Sequence, residues 1–161
     1  MLKLQRQGYW ECLPTSIAML CNVDKGEVLA QWEAMAGAKF DATAAAGAVF
    51  WPLAYRLLES RFGPDVAKAY EKMLALADER LRVYRRDALS VTVGAGETTV
   101  PAKGRGLLQL IHVGDMQVVR HSVAYCDGLI YNPDSDTPCT WEEYLQTHPG
   151  WVLEGVIQTA P

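Results

Sequence analysis

Two apolar, β-branched runs meet at Asp127-Gly128, and this dipeptide constrains the fold more than any other feature of the chain. Asp-Gly between strand-like segments is the signal of a two-residue type I′ hairpin, whose central residues both need positive φ. The turn sets the register: Cys126 faces Leu129, Val123 faces Asn132 and His121 faces Asp134. Side chains alternate along a strand, so His121, Val123, Asn132 and Asp134 project from one face and Cys126 from the other. His121 and Asn132 are then diagonal neighbours, roughly 7–8 Å apart at Cα and within reach of a side-chain hydrogen bond. Pro133 is expected to end regular pairing, which makes Asn132 the orienting residue and Asp134 its reserve.

Upstream the periodicity is helical. A first helix is expected from about Leu13 to Cys21, with Leu13, Ile17 and Leu20 on one stripe. Asp24 is placed to cap a short helix over Glu27 to Met35, which Gly37 stops. Asp41 to Phe62 is Ala-rich and aromatic, with Pro52 expected as an internal kink or break and Gly63 as terminator. Pro64-Asp65 opens a further helix over about Val66 to Tyr84. There Val66, Tyr70, Met73, Leu74, Ala77 and Leu81 recur at spacings of three and four and read as core. Arg80, Arg82, Arg85 and Arg86 at its end suit the negative pole of the helix dipole and a solvated face.

Beyond Arg86 the pattern alternates. Strands are expected at Leu89–Val93, Leu107–Val113, Val118–Cys126, Leu129–Asn132 and Trp151–Gln158, with turns at Gly94–Gly96 and Gly114-Asp115. Thr140-Trp141-Glu142-Glu143 has the form of a capping box before a short helix, which accounts for the acidic pair without paired-carboxylate chemistry. The reading is one α+β domain over residues 1–161, helices first and an antiparallel sheet last.

Composition narrows the class. The 161 residues suffice for one well-buried core. A net charge of −4 and a pI near 5.3 argue against a general nucleic-acid binder. No apolar stretch reaches the length of a membrane span, and Met1 to Gln7 is too polar for a secretory signal, so a cytoplasmic location is expected. The cysteines at 12, 21, 126 and 139 form no Cys-x-x-Cys pair and are expected as free thiols, with no metal site.

The chemistry-bearing candidate is Cys12. It precedes Leu13-Pro14-Thr15-Ser16 and an apolar run, which puts its thiol where a loop turns into a helix. Pro14 suits a first turn, where its missing N–H is not needed. Open N–H groups and the positive end of the dipole favour a thiolate there. A thiolate nucleophile needs a base, and His121, in a distant strand-like run, is the partner that folding could bring to it. Cys21 and Cys126 read as packing residues, His112 as a structural histidine in an apolar strand, and His148 as loop.

These segments resemble the papain-like cysteine peptidases, and among them the bacterial branch that removes leader peptides from bacteriocins. The matching pieces are Gln5 or Gln7, then Glu11-Cys12-Leu13-Pro14-Thr15-Ser16-Ile17-Ala18-Met19-Leu20, then His121-Ser122-Val123-Ala124-Tyr125, then Tyr131-Asn132-Pro133. The resemblance implies a papain-like fold with a helical insertion over roughly 24–86. It implies Cys12 as nucleophile, His121 as base and Asn132 as orienting residue, with Gln7 (or alternatively Gln5) in the oxyanion hole. It also implies a peptide or protein substrate and no cofactor. The chain departs from the pattern twice: Leu13 replaces the usual glycine, and Arg6 stands at the usual glutamine position. Those departures keep open a papain-like fold that binds a protein partner without cutting it, through surfaces such as Phe50, Trp51, Tyr55 and Phe62 of the insertion.

Overall fold

A computed structural model describes residues 1–8, 11–40, 50–86, 99–113 and 118–160. Among them the chain forms α1 (Cys12–Cys21), α2 (Lys25–Ala36), α3 (Phe50–Phe62), α4 (Pro64–Arg86), β1 (Arg105–Val113), β2 (Val118–Cys126), β3 (Leu129–Tyr131), α5 (Trp141–Thr147) and β4 (Trp151–Ala160). The strands make one antiparallel sheet in the order β3-β2-β1-β4. The architecture is α+β, with four helices ahead of the sheet. No described helix is long and apolar enough to cross a membrane.

The hairpin follows from its turn residues. Asp127 and Gly128 take φ of 51° and 82°, and Cys126 pairs with Leu129, Tyr125 with Ile130 and Ala124 with Tyr131, the register the dipeptide predicts. Helix boundaries likewise follow local chemistry. The Asp24 side chain accepts from Gly26 N–H to start α2, and Thr140 and Glu143 form a reciprocal capping box on α5. Pro52 corrects the expected break. It lies within α3, which runs on through it from Phe50 to Phe62 and is not broken there. The expected strand at 89–93, the turns at 94–96 and 114–115, residues 41–49 and the side chains of Arg80, Arg82, Arg85 and Arg86 lie outside what is described.

Alternation along the strands divides the apolar residues into two cores. Leu107, Ala124 and Ile157 face the helices and pack with Ile17, Met19, Leu57, Leu58, Tyr70 and Leu74. Leu108, Leu110, Val123, Tyr125 and Leu153 face the other way, with Tyr144 of α5. Phe50, Trp51, Tyr55 and Phe62 pack against the helical core, half-buried. Gly155 lets α4 lie close on β4, since a Cβ there would run into the Met73 thioether. That contact seats the segment of α4 that carries Tyr70.

Candidate functional site

The site forms where β3 stops. Extending the hairpin register would set Pro133 opposite Ser122, and proline has no N–H to give the ladder. The outer edge of β2 at His121 and Ser122 is therefore open, and the start of α1 occupies it. Ser16 Oγ donates to Ser122 O at 2.9 Å, and the Ser122 N–H lies on the Cys12 sulfur. Cys12 is the first residue of α1, whose first turn has no acidic residue and no side-chain cap. The Leu13 N–H is thus available and also meets the sulfur.

His121 hydrogen-bonds the Cys12 thiol on one side and Asn132 on the other, with Nε2 2.8 Å from Asn132 Oδ1. The amide orientation is set by neighbours: Asp134 N–H, which can only donate, meets Oδ1 at 3.1 Å, and Nδ2 donates to Ser135 Oγ at 3.1 Å. This assigns the hydrogen to Nε2 and leaves the Nδ1 lone pair for the thiol. His121 is 8% exposed and Asn132 1%. The Trp151 ring, 5.8 Å from His121 centroid to centroid, covers the imidazole.

Burial alone would raise the Cys12 pKa, yet it falls below the ordinary thiol value. The hydrogen bond and charge of His121, followed by the Ser122 and Leu13 N–H groups, outweigh desolvation. Burial would lower the His121 pKa, yet it rises, through the hydrogen bond and charge of Cys12, then Asn132 and Asp134. The two shifts describe one coupled pair that favours thiolate and imidazolium. Cys21, Cys126 and Cys139 shift the opposite way, chiefly through burial.

Asp134 is the more distant acceptor, its Oδ2 3.8 Å from His121 Nε2. Its Oδ1 accepts from Gln7 Nε2 at 2.7 Å, and Gln7 N–H reaches Pro133 O at 3.2 Å, so Gln7 is linked to the imidazole through Asp134. Gln5 is engaged at both ends of its amide, donating to Val23 O at 2.6 Å and accepting from Lys25 N–H at 2.7 Å. Arg6 bridges to Asp134 O and Asp136 Oδ1, clasping the segment ahead of Cys12 to the loop after Asn132. Glu11 turns back to Gly8 N–H and Lys25 Nζ, at 2.6 and 2.7 Å, and leaves the helix start open.

The remaining candidates lie elsewhere. Cys126 packs on the helical core, His112 lies tilted beside Trp151, and His148 stacks on Tyr144. Among the described residues no cluster of His, Cys, Asp or Glu is arranged to hold a metal ion. Trp151, Ser16 and Ser122 escape sequence reasoning. Ser122 is signalled only by following His121, and Trp151 depends on a strand order that spacing does not encode.

No family model, no curated protein and no solved structure matches this chain.

Proposed function

We propose that the chain is a papain-like cysteine peptidase or a related acyl-transfer enzyme acting on a peptide or protein, with Cys12, His121 and Asn132 as its triad. One observation carries this reading: thiol, imidazole and carboxamide stand in series, His121 between Cys12 and Asn132 with its Nε2 2.8 Å from Asn132 Oδ1. Thiolate nucleophiles are made by such a pairing.

The steps follow from the groups. The Cys12 thiolate attacks the substrate carbonyl, and the C–S bond forms as the carbonyl electrons move to oxygen. Backbone N–H at the start of α1 and the Gln7 carboxamide, once its Nε2 leaves Asp134, would serve as donors to that oxyanion, each worth about 3–4 kcal/mol in such sites. His121 gives its Nδ1 proton to the leaving amine, whose departure leaves a thioester. Water, deprotonated by His121, then releases the acid; an amine in its place gives transfer. Asn132 holds the ring throughout. The alternative, a papain-like binding or regulatory module, is favoured by the turn of Gln7 Nε2 toward Asp134.

Alkylation of the thiols by iodoacetamide, followed by mass spectrometry across pH, separates the two. Cys12 labelling fast at about pH 6, ahead of Cys21, Cys126 and Cys139 and lost in His121→Ala, is the outcome expected of the enzyme. Labelling that rises only near the free-thiol value of about 8.5 sinks it.

A further inference from the structure

Behind His121 the helical core contains a group of polar side chains that the proposed chemistry leaves unused. Tyr70 of α4 donates its hydroxyl to Gln109 Oε1 of β1 at 2.8 Å, and Ser122 Oγ donates to the same oxygen at 2.9 Å. The two hydroxyls are 3.5 Å apart. Tyr70, Gln109 and Ser122 are 0%, 2% and 3% exposed, and Tyr70 belongs to the first core, its ring beside those of Trp51 and Tyr55.

Such a group is a poor way to stabilise a core. Buried polar atoms carry a desolvation penalty that their mutual bonds only offset, and apolar residues of the same shape would serve as well. What the network does supply is restraint on Ser122. The Ser122 carbonyl is held by Ser16 of the nucleophile helix, its hydroxyl by Gln109 and, more loosely, Tyr70, and its N–H lies on the Cys12 sulfur. Ser122 also follows His121 in the chain, so fixing it fixes both reacting side chains.

We propose that Tyr70, carried in by helix α4, is a positioning residue for the Cys12–His121 pair and acts through Gln109 and Ser122. Helix α4 thereby forms part of the back wall of the site. The inference rests on the thiolate–imidazolium reading. The other titratable groups facing Tyr70 are Cys12, Tyr55 of α3 and Glu154 of β4, the last paired with Arg120 at 3.1 Å.

The test is the pH profile of Cys12 labelling by iodoacetamide in the full chain. Tyr70→Phe and Ser122→Ala are each expected to label about 5-fold more slowly than wild type at about pH 6, the equivalent of one ordinary hydrogen bond, and to converge with it at high pH. Leu57→Val, which loosens the same core without touching the network, should keep the wild-type profile. If Tyr70→Phe fails to fold, Ser122→Ala carries the comparison. A folded Tyr70→Phe (or, in its absence, Ser122→Ala) with the wild-type profile overturns the inference, as does Leu57→Val slowing by the same factor. A wild-type thiol that labels slowly at about pH 6 is a different result: it removes the enzyme reading, and the inference with it.

Discussion

Asn132 Oδ1 lies 2.8 Å from His121 Nε2, and the amide cannot turn over because its oxygen also takes the Asp134 N–H. The orienting residue is therefore itself oriented by the backbone that follows it, and the tautomer of His121 is settled before any substrate arrives. Asn132→Ala should lower turnover of a cleavable peptide on the order of 10²-fold, the lower end of what a positioned acid–base group contributes. Asn132→Asp should retain much of the rate and carry the alkaline limb of the pH profile to higher pH, since a carboxylate favours imidazolium. An unchanged rate in Asn132→Ala would remove Asn132 from the site.

The paired shifts of Cys12 and His121 give stability a defined shape with pH. The lowered thiol contributes fully above its ordinary value of 9.0 and loses that contribution as pH falls through its folded value. The raised imidazole contributes fully below its ordinary 6.5 and loses it as pH rises through its folded value. A thiolate–imidazolium pair that persists from 6.5 to 9.0 holds one proton on His121 where the unfolded chain holds one on Cys12, so the proposed ion pair makes the contribution flat across that window. Chemical unfolding of wild type and a Cys12→Ala, His121→Ala double variant should give a difference that is level across this window and falls on both sides. A difference that slopes steadily through the window contradicts the ion pair.

The two glutamines ahead of Cys12 separate by phenotype. Gln5 ties Val23 O to Lys25 N–H at the start of α2, so Gln5→Ala should lower stability by about 1–3 kcal/mol with the rate per folded molecule retained. Gln7 is linked to His121 through Asp134, so as the proposed oxyanion donor Gln7→Ala should lower kcat by about 10²–10³-fold with little change in Tm. Denaturation curves and peptide turnover measured on both variants distinguish the roles, and a reversed pattern would assign the oxyanion donor to Gln5.

The hairpin, the capped helices and the approach of His121 to Asn132 were legible because each depends on a few adjacent residues. Asp127-Gly128 fixes a register, and Pro133, by lacking an N–H, fixes where the ladder ends and α1 can enter. The site's other half was not legible in the same way. That Ser16 reaches Ser122, or that Tyr70 lies behind Gln109, depends on how α1 and α4 pack on the sheet, and helical periodicity marks a buried face without saying what it meets. Pro52 does not break α3 between Phe50 and Phe62, because the packing of Leu53, Ala54, Leu57 and Leu58 in the core, which periodicity alone does not weigh, holds the helix through it.

Gly128 links the turn to the site. Its φ of 82° is left-handed, while the space around an added Cβ is open, the nearest atom being Ala102 Cα at 3.7 Å. The penalty for Gly128→Ala is thus backbone strain alone, about 1–2 kcal/mol. At this chain length that corresponds to a Tm lower by about 2–4 °C per kcal/mol. The register should nevertheless survive, because a one-residue slip would turn Val123 and Tyr125 out of the second core. Asn132 then stays beside His121, and Cys12 labelling per folded molecule should match wild type below the transition. Loss of fast labelling in a variant that remains folded would show instead that the turn, and not the buried face, holds the register.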